Sequence, residues 1–153
     1  MELRTEKNQH AQYNLQYHLV LVTKYRKPCI TPEMFRVIEG QLKKVAEGFR
    51  AEVEEISFEP DHVHLLMQVP PQVSLSVMVN SMKSTSSRLV RKLFAEPLSG
   101  VYRKPVFWNR SYLILSSGGA PIDVIQEYIR EQGTQEHAAK AARRKRRLSP
   151  PEP

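Results

Sequence analysis

The chain of 153 residues holds a single cysteine, Cys29. One thiol closes no intrachain disulfide and builds no cysteine-based zinc cage. A reducing cytoplasm is the natural setting for such a chain. The N-terminus lacks the apolar core of a secretory signal, and no run is long enough to cross a bilayer. These absences lead us to expect an intracellular protein with no membrane partner. Internal repeats are also missing. Negative charge is the scarcer sign: 16 Asp and Glu stand against 23 Lys and Arg, a net +7. That balance suits a polyanion, nucleic acid first and anionic lipid second. Many soluble proteins are equally basic, so charge alone decides little.

What is present reads as one mixed domain, with enough chain to bury a core. Tyr13 to Lys24 alternates as a strand, Leu15, Tyr17, Leu19 and Leu21 on one face, Gln16, His18, Val20 and Val22 on the other. A basic turn ends at Pro28. Thr31-Pro32-Glu33 opens a helix with a capping hydroxyl, a first-turn proline and an acid. Phe35, Ile38, Leu42, Val45 and Phe49 continue it at steps of three and four to about Arg50. Val53 to Phe58 and His62 to Val69 read as a hairpin around Glu59-Pro60-Asp61. Ser74 caps a second helix with a stripe of Leu75, Met78, Met82, Leu89 and Leu93. Lys83 to Arg88 is its expected exposed face. Residues 96–105 read as a loop and 107–116 as a fourth strand. Pro121 then starts a third helix, running to about Ala142.

The order β-α-β-β-α-β with an added helix is an α+β, ferredoxin-like (RRM-like) layout with an antiparallel sheet. Both earlier helices cover one sheet face, and the other carries His62 and His64. The expected organisation is one domain over 1–142. Its body spans 13–117, a hinge 116–120 and the last helix 121–142. A basic, then proline-rich, disordered tail fills 143–153.

Two stretches carry the chemistry. On a strand, alternate residues share a face, so His62 and His64 point one way while Val63, Leu65, Met67 and Val69 point the other. The plain alternative is a pair of hydrogen-bonded, partly buried histidines. The uniformly apolar opposite face argues that the pair was not placed to fill a core. On the last helix, Tyr128 and Gln132 sit one turn apart on one stripe. Each alone is an ordinary helix residue. Together, a helix over the open sheet face brings phenol and amide towards the imidazoles. Imidazole with an amide oxygen and water suits Mg²⁺ or Mn²⁺ at least as well as zinc.

His62-Val63-His64 resembles the His-hydrophobe-His signature of the HUH nucleases. With one tyrosine on a late helix, the chain resembles the single-tyrosine transposases (TnpA type) of the smallest bacterial insertion sequences. Tyr17 to Arg26 is similar to that family's first strand, and Asp61 to Leu66 to its metal strand. Lys83 to Leu89 is similar to its second helix, Phe107 to Tyr112 to its last strand, and Tyr128 to Gln132 to its nucleophile helix. The likeness spans about 13–133. It implies that His62, His64 and Gln132 bind a divalent ion, and that Tyr128 attacks a scissile phosphate to leave a 5′-phosphotyrosine. It further implies single-stranded DNA with hairpins as substrate, a bacterial or archaeal nucleoid-associated setting, and a homodimer with active sites assembled in trans.

The basic residues expected at DNA are Lys24, Arg26 and Lys27 after the first strand, Lys83, Arg88, Arg91 and Lys92 on the second helix, and Arg103, Lys104 and Arg110 around the last strand. Solvated surface charge is the alternative for about half of them. Trp108 and Phe107 either stack on unpaired bases or pack in the core. Gly118-Gly119 is either a plain turn or the hinge of the tyrosine helix. Three rival functions remain: a host relative acting on palindromic repeats, a non-catalytic nucleic-acid-binding module, and a hydrolase with Tyr128 idle. Against the binding module, no Lys/Arg-Gly-Phe-type signature marks either central strand.

Overall fold

The computed structural model describes residues 5–7, 12–116 and 124–132. The expected hinge glycines Gly118 and Gly119, the last helix beyond 132 and the tail 143–153 lie outside the described residues. The main sheet has four antiparallel strands in the order β4-β5-β3-β6: β3 (Gln16–Val22), β4 (Glu52–Glu59), β5 (His62–Gln68) and β6 (Leu113–Ser116). A two-stranded ribbon, β1 (Glu6–Lys7) with β2 (Gln12–Tyr13), precedes it. Helices α1 (Pro32–Gly48) and α2 (Leu75–Leu93) follow the first and third main strands, completing the ferredoxin-like pattern.

The local reasons are the ones the residues suggest. Thr31 Oγ1 accepts from Met34 N at 3.2 Å, and Ser74 Oγ from Val77 N at 3.4 Å, so each helix begins with one orphan amide satisfied. Arg50, at φ 59°, ends α1 in the left-handed region. Its amide bonds Glu47 O and that of Ala51 bonds Ala46 O, both at 2.9 Å, a Schellman closure without glycine. Pro60-Asp61 is a two-residue turn in which Glu59 pairs with His62. The uneven alternation of β4 is a bulge between Val53 and Glu55, which leaves Glu54 and Glu55 both exposed.

The core lies on one sheet face. Leu19, Leu21, Val63, Leu65 and Met67 meet Met34, Ile38, Leu42, Met78 and Met82, all at most 2 % exposed. Four sequence expectations need correction. The buried stripe of α2 runs through Met78, Val79, Met82, Ser86 and Val90, whereas Leu93 is 56 % exposed. Steps of four from 78 rotate the stripe towards Ser86, which the sequence placed on the exposed face. Burial is tolerated because Ser86 Oγ donates to Met82 O at 2.6 Å and accepts from Trp108 Nε1 at 2.9 Å. The loop expected at 96–105 holds a short helix, α3 (Ala95–Ser99). The first strand shortens to Gln16–Val22, because Lys24–Arg26 turns as a 3-10 helix with Tyr25 at φ 59° and Arg26 at φ 52°. The fourth strand shortens to Leu113–Ser116, with only a bridge from Thr23 to Trp108 upstream.

Candidate active site

The second sheet face carries the chemistry. In register, Val20 faces His64, Val22 faces His62 and His18 faces Leu66, while His18 and Val20 face Leu115 and Leu113 on the other side. Directly opposed residues of an antiparallel pair share a face. Three imidazoles and five aliphatic side chains therefore lie on one surface. Val20 and Val22 are at most 1 % exposed, because the helix over 124–132 (α4) lies across them. Ile125, Tyr128 and Ile129 pack with Val20, Val22, Leu113 and Leu115 in a cluster separate from the main core. Tyr128 and Gln132 thus share a stripe on the sheet side of α4, over the histidine-bearing face.

Each site side chain has a defined partner. His62 Nδ1 lies 2.8 Å from Asp61 Oδ1. The carboxylate can only accept, so His62 donates from Nδ1 and keeps Nε2 for another partner. Asp61 Oδ2 also pairs with Arg26 Nε at 3.4 Å. His64 Nε2 lies 2.9 Å from His18 Nδ1, with the rings 5.1 Å apart. Burial, then the neighbouring His18 and His62, lower the pKa of His64, against a smaller opposing pull from Glu55. Neutral imidazole is the metal-binding form.

Tyr128 and Gln132 bond elsewhere. Tyr128 OH lies 3.0 Å from Ser111 Oγ, and Ser111 Oγ donates to Gln132 Oε1 at 2.8 Å. Asn109 Nδ2 donates to the same Gln132 oxygen. Both acceptor positions of that amide oxygen are thereby used. Burial raises the Tyr128 pKa, against a lowering by the Ser111 hydrogen bond. An open cleft of about 640 Å³ runs beside α4, lined by Arg26, Asp61, His62, Gln126, Ile129 and Arg130 among others.

Two neutral imidazoles fit one side of a divalent ion, and an amide oxygen fits Mg²⁺ or Mn²⁺. Among the described residues, no three His, Cys, Asp or Glu side chains gather closely enough to hold an ion. The ion would therefore draw on a donor such as the Gln132 oxygen, which here is engaged by Asn109 and Ser111.

The basic residues divide. Lys83 Nζ donates to Arg110 O at 2.6 Å and lies 5.7 Å from the centre of the Tyr112 ring. Burial, then the charge of Lys24, lower its pKa. Lys83 therefore lies against the backbone of Arg110, next to Ser111 in the chain, and within electrostatic reach of Lys24. Arg26 belongs to the cleft. Arg91 bonds Ser87 at 3.2 Å, and Lys27, Arg88, Lys92, Arg103 and Lys104 are exposed, with no contact among the described residues drawing them to the site. Of the two readings of Trp108, base stacking or core packing, the structure favours the second: it is 7 % exposed, edge-on to Phe107 at 4.7 Å and bonded to Ser86. A ring held this way is core.

Three residues with a part in the site were not singled out from the sequence. His18 sat in the stretch similar to the family's first strand but was given no role, and only its face parity with Val20 and Val22 hinted at a place beside the pair. Asn109 and Ser111 lay in a segment read as strand, which gave no reason to expect side chains reaching α4.

The fold and site define an α+β domain with paired imidazoles beneath a tyrosine-bearing helix. Residues 11–132 match the family described as Transposase IS200 like. The transposase for insertion sequence element IS200 of Salmonella typhimurium is 32% identical over 123 residues, covering 80% of each chain. The ISDra2 transposase TnpA of Deinococcus radiodurans is 29% identical over 136 residues, covering 89% of this chain and 96% of the relative. A crystal structure from Deinococcus radiodurans, assigned as a transposase, superposes with a TM-score of 0.75 at 29% identity, covering 83% of this chain and 97% of that one. A REP-associated tyrosine transposase bound to a REP hairpin shares the fold, with a TM-score of 0.51 at 10% identity, over 79% of this chain and 68% of that one. The chain belongs to the IS200-like transposases, of the IS200/IS605 type. Membership makes it a DNA-cleaving, strand-transferring enzyme. Among the described residues no helix is long and apolar enough to cross a membrane.

Proposed function

We propose that the protein cleaves and rejoins single-stranded DNA at insertion-sequence ends through a covalent link to Tyr128. The observation that carries this reading is the placement of Tyr128 and Gln132 on the sheet side of α4, over the face that bears His62 and His64. The Tyr128 oxygen attacks the scissile phosphorus as its proton departs. The bond from phosphorus to O3′ breaks, and O3′ leaves as a hydroxyl. The product is a 5′-phosphotyrosine, a phosphodiester that keeps the energy of the bond it replaced. Attack by a 3′-hydroxyl on that ester reverses the step and needs no ATP.

His62, His64 and Gln132 would hold Mg²⁺ or Mn²⁺. When bound, the ion polarises the phosphate and neutralises charge on its oxygens. Lys83, bonded to the backbone of Arg110 next to Ser111, supplies positive charge near the Tyr128–Ser111 contact, and Arg26 and Arg130 line the cleft, where a DNA backbone finds cations. The substrate is single-stranded DNA folded into hairpins, as the REP-associated relative's bound hairpin supports.

The working form is a homodimer in which the tyrosine helix of one subunit serves the histidine pair of the other. Supporting this, Tyr128 and Gln132 bond Ser111 and Asn109, while the imidazoles bond Asp61 and His18. In this reading one domain spans 1–142, with a hinge at 116–120 about Gly118 and Gly119 and a tail at 143–153.

The test is incubation with labelled hairpin DNA and Mg²⁺ or Mn²⁺. A denaturation-resistant protein–DNA adduct is expected from the wild type and none from Tyr128→Phe. Cleavage that persists in Tyr128→Phe would make the protein a hydrolase instead. A His64→Ala chain mixed with a Tyr128→Phe chain should recover one working site per dimer. No recovery would remove the trans arrangement.

A further inference from the structure

Both imidazoles of the pair are held at one ring nitrogen by a different element. Asp61, in the hairpin turn, takes Nδ1 of His62 at 2.8 Å. His18, two strand positions from the residue opposite His64, reaches Nε2 of His64 at 2.9 Å. Metal-bound histidines characteristically donate their second ring N–H to a fixed acceptor, which sets the tautomer and the ring plane. A carboxylate and an unprotonated imidazole nitrogen are both such acceptors.

We propose that Asp61 and His18 are positioning residues for His62 and His64, accepting the ring N–H that each does not offer to the ion. This rests on the reading of His62 and His64 as ion ligands. It makes the pair asymmetric. His62 presents Nε2, because Nδ1 donates to Asp61; His64 presents Nδ1, because Nε2 donates to His18. The Asp61 carboxylate is itself steadied by Arg26, at 3.4 Å through its other oxygen. Among the described residues no other side chain bonds the His64 ring, so among them His18 settles which nitrogen faces outward.

The experiment is Mn²⁺ binding to the intact, DNA-free chain, followed by the electron-spin signal of the free ion. Thermal melting of every variant is run alongside. His62→Ala and His64→Ala define the loss of a ligand. His18→Phe keeps a ring but offers no acceptor, and His18→Asn restores an acceptor oxygen. Asp61→Ala and Asp61→Asn make the matching pair. We expect His18→Phe and Asp61→Ala to weaken binding about 10–100-fold, the range for outer partners of metal ligands. His18→Asn and Asp61→Asn should recover most of that loss. In ¹⁵N-histidine spectra of the ion-free protein, His64 should carry its proton on Nε2 in the wild type and lose that preference in His18→Phe.

Four results would overturn the proposal, and they are distinguishable. Unchanged binding in His62→Ala and His64→Ala removes the ligand reading, and the positioning role goes with it. Lost binding there with full affinity in His18→Phe and Asp61→Ala leaves the ligands standing and removes the positioning role. Loss in His18→Phe as deep as in His64→Ala, without recovery in His18→Asn, would make His18 a ligand. If His18→Phe does not fold, the contrast between wild type and His18→Asn in the ¹⁵N spectra decides: a His64 proton on Nδ1 in the wild type refutes the assignment.

Discussion

The two faces of the sheet are built on the same strands and to different ends. On one, Leu19, Leu21, Val63, Leu65 and Met67 are fully buried under α1 and α2. On the other, the intervening positions His18, Val20, Val22, His62 and His64 share a surface on which a single helix packs, and of these only Val20 and Val22 are fully covered. The first face gains from every methylene it removes from water, about 25 cal/mol per Å² of apolar area. The second keeps its polar atoms paired one by one, to Asp61, His18, Ser111 and Asn109. A face held by a few aliphatic contacts and a short list of hydrogen bonds is one from which a helix can move without unfolding the body.

The comparison can be broken most forcefully in the core. Leu65→Ala is expected to cost about 2–5 kcal/mol in denaturant unfolding, because a fully buried leucine leaves a cavity. Leu115→Ala, on the site face and only partly buried, should cost distinctly less. Equal losses would mean that α4 is as firmly docked as α1 and α2. Next in size is Ser86→Ala. It strands the Trp108 indole N–H in the core and should cost about 1–3 kcal/mol, while Ser84→Ala, on an exposed position of the same helix, should cost little.

Asn109→Ala tests the site face alone. It removes a donor from Gln132 Oε1, leaving Ser111, and should cost about 1 kcal/mol. We expect that loss as faster amide exchange within 124–132, with the exchange of β3 and β5 unchanged. Faster exchange throughout would show that α4 unfolds with the body.

The smallest effect is alkaline. Burial raises the Tyr128 pKa, so the folded chain holds that proton more tightly than the unfolded one. Its contribution to stability is complete below the unfolded value near 10 and is lost as pH rises through the folded value. Tyr128→Phe should flatten the fall in stability above about pH 10. The same raised pKa disfavours phenolate at neutral pH, so adduct formation should quicken as pH rises towards 10.

Much of this was legible from residue order. The alternation around Val63, Leu65 and Met67 placed His62 and His64 on the face away from the core, and the structure puts them there. The cap at Thr31 and the stripe through Ile38 and Leu42 placed α1 within two residues of its observed end. The α2 stripe slipped because Ser86 is polar by type and buried by circumstance. Its hydroxyl has a backbone acceptor one turn back and an indole donor from a segment twenty-two residues away. Trp108 was ambiguous for the same reason. Asn109 and Ser111 read as strand because the pattern of types around them cannot reveal that the ladder stops at Thr23 and Trp108.

Residue order by itself determined the secondary elements, the two-faced character of the central strands and the shared stripe of Tyr128 and Gln132, since these follow from periods of 2 and 3.6 acting over neighbouring residues. Only the tertiary structure decided that β5 pairs with β3 in a register that brings His18 to His64, that α4 lies on the histidine face, and that Asn109 and Ser111 hold its polar groups. Those contacts join residues from 17 to 46 positions apart. Their geometry depends on strand order and register across the whole sheet, and no local period encodes either.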